Sequence, residues 1–258
     1  MRRSRILNSM TTPTITIDRR FAGPPNSGNG GYSSGRLAAW IRGPAEVTLR
    51  RPPPLDVPLP VELQANGDAH LLHNGDLVGT ASPRAVETRA MESPGFERAC
   101  EAASRSFAAK HHPQPACFVC GPDRAIGDGL RIHPGPVDFD DVEWRGLVAA
   151  PWTPGDDLAD DDGLVCAEFL WAALDCPTAY ASSSPAGMPY ILLGRQATAV
   201  HRRPTAGVPL VVTAIRTGKD GRKYFADSAL FDDSGDLLAE SSTVWIEVSR
   251  EVALGIHG

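Results

Sequence analysis

Two carboxylates in one apolar stretch are the residues of this sequence most suited to chemistry. Glu168 and Asp175 lie seven residues apart in the run 163–178, so on a helix they share one face with Trp171 between them. Asp is a poor residue for the middle of a helix, and a buried, unpaired carboxylate is costly. A dry environment raises the pKa of a carboxyl group, which suits it to accept a proton or to attack a carbonyl. We therefore predict a catalytic role for Asp175; the alternative is a structural bond to strand backbone.

An Asn-Gly-Gly turn is the second candidate for chemistry. Asn29, Gly30 and Gly31 precede a helix of small residues that is predicted at 32–41. The first N–H groups of a helix have no partner within it, and they are suited to bind an oxyanion or a phosphate. A plain tight turn, which glycine serves equally well, is the alternative. Because the first helix contains no acid, we predict one site across the two helices, with this turn near Asp175.

The cysteines form one pair at metal-ligand spacing. Cys117 and Cys120 make a single CxxC, and tetrahedral structural zinc sites usually show a clearer second pair. Cys166 and Cys176 fall in the apolar helix and are expected to be small core residues. Three histidines would be the other candidates for a zinc shell: His111, His112 and His133. We expect no metal here and assign the CxxC to a structural turn.

Composition and charge exclude several classes of protein. The chain has 258 residues and a formal net charge of −6, so it lacks the strongly basic balance that nucleic-acid binding needs. It has no apolar run of about 18 residues, so we expect no membrane span. Five cysteines without a secretion signal favour reduced thiols and a cytoplasmic location.

The predicted elements occur in the same order twice, which favours an internal duplication. Each copy has a strand, a turn, a helix and four strands, and a connector helix is predicted at 94–110. Strands are predicted at 14–21, 45–51, 57–64, 68–73, 76–82, 129–134, 142–150, 189–203, 208–217, 223–232 and 237–248. The second buried helix is predicted at 163–180. One apolar helix followed by long antiparallel strands predicts an α+β fold with a curved sheet around the helix.

The second half resembles the hotdog fold of acyl-CoA thioesterases. The motifs that carry the resemblance are CFVCGP (117–122), GLR (129–131), Gly163, AALD (172–175), QATAVHRRP (196–204) and DDSG (232–235). It covers residues 116–248, and the first half matches more loosely. The resemblance implies a double hotdog: two central helices, each wrapped by a curved antiparallel sheet, with the two halves forming one pseudo-dimer. The implied boundaries are a disordered tail at 1–13, hotdogs at 14–93 and 116–250, and a connector at 94–115.

The resemblance also implies roles for the two candidate motifs. Asp175 matches the family aspartate that acts as nucleophile or general base on a thioester. The family's His-Gly-Gly turn polarises the thioester carbonyl through a backbone N–H. The second half has Asp162-Gly163 there and lacks the histidine, so we assign the oxyanion role to Asn29, Gly30 and Gly31.

The implied ligand is an acyl-CoA or another acyl thioester in a tunnel between the helices. Basic residues at the tunnel mouth would hold the phosphates of CoA. The residues that we assign to substrate binding are Glu168, Trp171, Thr178, Arg195, Arg202 and Arg203. Glu168 has a plainer alternative as a solvated residue in the second turn of the helix, and the arginines could be isolated surface residues. No cofactor is implied beyond the CoA of the substrate, and a homodimer of such chains is left open.

Two other functions fit parts of the pattern. A hotdog dehydratase or hydratase is the first, but the turn at 21–25 lacks the histidine that this chemistry needs. The second is an acyl-CoA-binding protein without activity, which the missing His-Gly-Gly motif favours. Thioester hydrolysis remains our main prediction.

Overall fold

An antiparallel sheet forms the frame of the protein in the computed structural model, which describes residues 12–89, 91–106, 112–138, 146–183 and 188–255. Its strands are β1 (Thr14–Thr16), β2 (Ala45–Leu49), β3 (Pro58–Leu63), β4 (Ala69–His73), β5 (Asp76–Pro83), β6 (Gly135–Pro136), β7 (Leu147–Trp152), β8 (Ile191–Val200), β9 (Leu210–Asp220), β10 (Lys223–Phe231) and β11 (Leu237–Glu247). Their order in the sheet is β1-β3-β4-β5-β2-β8-β11-β10-β9-β7-β6. The α+β class predicted from the sequence is therefore correct.

One seam joins the first and second halves of the chain. Strand β2 pairs antiparallel with β8, and Thr48 lies opposite Arg195 in this register. Outward from the seam, the first half continues as β5, β4, β3 and β1, and the second half continues as β11, β10, β9 and β7. Counted outward from the seam, the strands of the two halves therefore follow the same sequence of positions in the sheet.

Four helices accompany the sheet within the described residues: α1 (Gly30–Ala38), α2 (Phe96–Ser104), α3 (Ala167–Ala181) and the short α4 (Arg250–Ala253). Every residue of α3 from Phe169 to Ala181 is buried, as the apolar sequence predicted. Pro177 lies inside this helix, and a side chain of the sheet donates a hydrogen bond to a helix carbonyl near it. Ser228 donates to the Leu174 carbonyl at 2.7 Å. The sheet thus holds α3 by polar as well as apolar contacts.

Helices α1 and α3 cross at two glycines of α1. A Cβ added to Gly31 would lie 2.4 Å from Asp175 Cβ and 2.8 Å from the Trp171 carbonyl oxygen. One added to Gly35, one turn further, would lie 2.6 Å from Glu168 Cα. Only glycine lets the two backbones approach this closely, and the close approach brings the start of α1 against the middle of α3.

The structure corrects several predicted boundaries. The segment 129–134 is not a strand, because Arg131 has a positive φ of 54° that interrupts extended backbone. Residues 19–21 form a 3-10 turn, so the first strand ends at Thr16. The connector helix covers Phe96–Ser104, and 107–110 lie outside the described residues. Most of the predicted tail, 1–11, also lies outside them, as do 142–145 of the strand expected at 142–150. No helix in the described part of the chain is long and apolar enough to cross a membrane.

Candidate active site

Asp175 lies where the two helices cross, and its side chain is held from α1. It is buried, with 1% of its surface exposed. Its Oδ2 atom accepts hydrogen bonds from Asn29 Nδ2 at 3.0 Å and from the Gly31 backbone N–H at 2.9 Å. The structure therefore brings together three residues that the sequence placed in one site from opposite halves of the chain.

The N-cap of α1 sets this geometry. Asn29 Oδ1 accepts the Tyr32 N–H at 2.8 Å, which is the usual capping bond of an asparagine at a helix start. The Asn29 backbone N–H is bonded in turn to the Phe21 carbonyl at 2.7 Å. With its oxygen and backbone fixed, the amide directs its Nδ2 group at Asp175, and the sulfurs of Cys117 and Cys176 lie further away at 3.8 Å. A capping residue thereby becomes a hydrogen-bond donor to the buried acid.

Burial dominates the protonation of Asp175. Loss of water raises the pKa of this carboxyl group to about 7, although the Gly31 N–H and the Asn29 amide both favour the charged form. Among the groups that the structure describes, Oδ1 has no hydrogen-bond partner. Asp175 is thus a carboxylate with one oxygen fixed and the other available, poised to exchange a proton near neutral pH.

A cavity of about 250 Å³ opens next to Asp175. It is larger than the ~150 Å³ apolar cavity that suffices to bind benzene elsewhere. Asn29, Gly30 and Asp175 lie on its floor. Its walls are mostly apolar and include Leu49, Met188, Tyr190, Ile191, Leu193 and Trp245. A mostly apolar cavity with a few polar groups in its lining suits an apolar ligand with a polar reactive group.

Gly30 retains the backbone donor that the turn was expected to supply. The Gly31 N–H is occupied by Asp175, and the Tyr32 N–H is occupied by the cap. Gly30 is the first residue of α1 and lines the cavity, and its N–H has no acceptor among the described residues. At a helix N-terminus such a group favours a negative oxygen.

Three of the residues assigned to substrate binding support the helix instead of lining the cavity. Glu168 lies 3.9 Å from Arg36 in an ion pair. The Trp171 carbonyl accepts a hydrogen bond from Gln196 at 3.0 Å. Thr178 donates to the Asp175 carbonyl at 2.6 Å and accepts the indole N–H of a tryptophan at 2.7 Å. Each has a structural contact, and none is among the cavity-lining residues described above.

The arginines assigned to phosphate binding also have other partners. Their ion pairs are Arg195 with Glu46 at 3.6 Å, Arg202 with Asp232 at 2.6 Å, and Arg203 with Asp160 at 2.6 Å. The cavity rim carries two different exposed cations, Arg50 and Arg51. Arg51 pairs with Asp76, whereas Arg50 forms no ion pair with the residues that the structure describes. The proline run 52–54 directly follows these two arginines.

Three cysteines also line the cavity floor: Cys117, Cys120 and Cys176. All three are buried. The pKa of Cys117 is well below that of an ordinary thiol because Cys120 and Cys176 can donate to its sulfur. The pKa values of the two donors are well above the ordinary value for the same reason. Sequence reasoning missed this cluster, because it treated Cys176 as a core residue separate from the CxxC.

Solved structures share this architecture at low sequence identity. The sequence matches no known protein-family profile and no curated protein. A thioesterase, provisionally named, from Novosphingobium aromaticivorans is 16% identical over 92% of this chain and 95% of its own, with a TM-score of 0.59. A protein of unknown function with a hot dog fold from Alicyclobacillus acidocaldarius is 13% identical over 92% of both chains, with a TM-score of 0.56. A tesB protein of Mycobacterium avium subspecies paratuberculosis is 15% identical over 88% and 89%, with a TM-score of 0.53. The chain therefore has the hotdog fold.

Proposed function

We propose that the protein hydrolyses acyl thioesters, with acyl-CoA as the substrate class. The observation that carries this proposal is Asp175, a buried acid whose Oδ1 is unengaged, located beside an apolar cavity and the start of α1. Two similar structures are named as thioesterases, which supports the proposal. At their low sequence identity, however, the similarity shows only a shared fold.

In this proposal, Asp175 takes the proton of a water molecule or attacks the carbonyl itself. In the first case the water oxygen bonds to the thioester carbon, the C–S bond breaks, and the proton held by Asp175 passes to the leaving thiolate. In the second case an anhydride with Asp175 forms as the thiolate leaves, and a water molecule then cleaves this anhydride to the acid, restoring Asp175 and supplying the proton of the thiol. Negative charge develops on the carbonyl oxygen, and the Gly30 N–H with the positive end of α1 would stabilise it. Asn29 and Gly31 hold Asp175 in place, which differs from the direct oxyanion role first assigned to them. The acyl chain would occupy the apolar cavity.

We infer further that the chain is a double hotdog in which the two halves form a pseudo-dimer. The matched strand order on the two sides of the β2–β8 seam supports this inference. Asp175 is the ninth residue of α3, and the ninth residue of α1 is Ala38. A second, symmetry-related site would therefore lack its acid, so the proposed enzyme has one active site per chain.

A binding function without catalysis is the second candidate. It is favoured by the hydrogen bonds that engage Asn29 and Gly31 with Asp175, because these leave fewer donors for an oxyanion. The dehydratase alternative has less support. Among the described residues, the histidine that lines the cavity is His112, and its Nδ1 accepts the Gln114 N–H.

The proposed function is tested by measuring thiol release from acyl-CoAs of increasing chain length. We expect release well above the uncatalysed rate, with a preference for acyl groups that fit the apolar cavity. Protein that binds acyl-CoA, as measured by calorimetry, but releases no thiol at any chain length would support the binding function instead.

Arg50 is predicted to bind the phosphates of CoA at the cavity rim. Arg50→Ala should raise KM for acyl-CoA by about 3- to 10-fold with little change in kcat, because an exposed cation contributes modest, uniform binding. Higher salt should reduce the difference between the variant and the wild type. Arg202→Ala is the matched control, since that arginine is paired with Asp232 away from the cavity lining. An equal KM effect in both variants would contradict the assignment.

A further inference from the structure

The three cysteines of the cavity floor form a compact cluster. The Sγ atoms of Cys117, Cys120 and Cys176 all lie within 4.8 Å of one another. They come from two distant parts of the chain, and all are buried. The hydrolytic role proposed for Asp175 makes no use of them.

The turn that carries the first two cysteines is tightly fixed. The Gly121 N–H donates to the Cys117 carbonyl at 2.8 Å, closing the turn around Cys120. A Cβ at Gly121 would lie 2.5 Å from three backbone atoms, so only glycine fits after the second cysteine. Helix α3 brings Cys176 to this turn. A fixed turn and a buried helix present the three sulfurs in a preformed arrangement.

The sulfur spacing fits a soft divalent metal ion. A tetrahedral zinc ion with Zn–S bonds of about 2.3 Å separates its sulfur ligands by about 3.8 Å. Cys117 Sγ lies 3.8 Å from Cys176 Sγ, which matches this edge without movement. Cys120 Sγ lies within 4.8 Å of both other sulfurs. Thiolate ligands favour zinc over the hard cations magnesium and calcium.

Two neighbouring side chains lie within donor distance of the cluster, and the acceptor Asp175 Oδ2 lies 3.9 Å from Cys176 Sγ. Asn29 Nδ2 lies 3.8 Å from the sulfurs of Cys117 and Cys176. His112 Nε2 lies 3.2 Å from Cys120 Sγ. The His112 Nδ1 atom accepts the Gln114 N–H at 2.9 Å, so a neutral ring carries its proton on Nε2 and donates it to the sulfur. His112 is therefore a supporting donor and not a fourth ligand in this arrangement.

We propose that Cys117, Cys120 and Cys176 bind one zinc ion on the cavity floor. The fourth coordination position faces the cavity and takes a water molecule or a ligand atom, as in zinc sites that keep one position open. Binding releases the protons of the thiols that are not yet ionised. This proposal replaces the sequence-based expectation of no metal, which rested on the missing second pair; the fold supplies the third sulfur.

Metal content tests the proposal directly. Protein produced with zinc and purified without chelator should contain about one zinc ion per chain by elemental analysis. Cobalt added to the chelator-treated, reduced protein should produce sulfur-to-cobalt charge-transfer absorption in the near ultraviolet. Cys117→Ser and Cys176→Ser should lose both signals. Cys166→Ser and Cys100→Ser, which alter cysteines outside the cluster, should keep them.

A thiol-protection experiment covers the case in which the cluster variants fail to fold. Because the three thiols are buried, alkylation is carried out in mild denaturant that makes them reactive in the metal-free wild-type protein. Added cadmium should then protect three of the five cysteines relative to the metal-free protein, and peptide mapping should identify these as Cys117, Cys120 and Cys176. His112→Ala should bind cobalt about 10- to 100-fold more weakly at unchanged stoichiometry, the usual effect of losing a supporting bond.

Two results would overturn the proposal. One is reduced wild-type protein that gives no charge-transfer band and no protection by cadmium. The other is an intact mass lower by two hydrogens together with a mapped Cys117–Cys176 disulfide in protein purified under reducing conditions. Neither result depends on turnover, so the metal site and the hydrolytic function are judged separately.

Discussion

Asp175→Asn should lower the rate of thioester hydrolysis about 100-fold or more, the scale of a positioned acid–base group. The substitution keeps the shape of the side chain and an acceptor oxygen for the Gly31 N–H and the Asn29 amide. It removes the ability to take up a proton or to attack a carbonyl. The loss should therefore appear in kcat, with a small change in KM.

Glu168→Gln is the matched control for this variant. It alters a carboxylate of the same helix that is paired with Arg36 outside the cavity lining. We expect its turnover to stay within about 3-fold of wild type, because a partly exposed ion pair contributes little. Circular dichroism and thermal unfolding should show both variants folded. Unchanged turnover in Asp175→Asn would remove Asp175 from the mechanism and favour the binding function.

The placement of this acid could be predicted from the sequence because the signal is local. Asp175 interrupts a helix that is apolar on every side, and Asn29 with two glycines marks the start of a helix without an acid. A repeated order of elements then indicates that the two helices pack together. The two local patterns and the repeat together sufficed to place Asn29 and Gly31 near Asp175, and the structure confirms this placement.

Other parts of the site depend on contacts that no local pattern shows. Cys176 joins Cys117 only because α3 packs against the turn of a segment 59 residues away. Arg50 directly follows β2, the strand that pairs with β8 at the seam, and it lines the cavity there. Arg195 was expected at the mouth, but the same seam places it beside Glu46. Such long-range pairings are set by the register of the sheet, which the sequence alone left open.

The spacing of Gly31 and Gly35 is a signal that sequence reasoning could have used. Glycine inside a helix costs about 1 kcal/mol relative to alanine, so two glycines one turn apart call for a compensating contact. The structure supplies it, because both face the backbone of α3. The same contact controls how far Asp175 lies from the start of α1.

Gly31→Ala should therefore lower the free energy of unfolding by about 3 kcal/mol, at the upper end of the usual cost of overpacking. The new Cβ would lie 2.4 Å from Asp175 Cβ and 2.8 Å from a backbone oxygen, so relief requires the helices to separate. In a solvent-exposed helix the same substitution would stabilise the protein by up to about 1 kcal/mol. A loss of stability would therefore show that the contact between α1 and α3 has no space for the methyl group. Chemical denaturation measures it.

Two further variants separate packing from chemistry. Gly218→Ala in β9, where the new Cβ would make an ordinary 3.6 Å contact with Phe225, should change stability by less than about 1 kcal/mol. Gly35→Ala should destabilise the protein much as Gly31→Ala does, because its Cβ would meet Glu168 Cα at 2.6 Å. Turnover per folded molecule should fall more in Gly31→Ala, since that change alone pushes directly on Asp175. If Gly31→Ala and wild type were equally stable, the close approach of α1 and α3 at Gly31 would be wrong, because that approach leaves no space for the added methyl group.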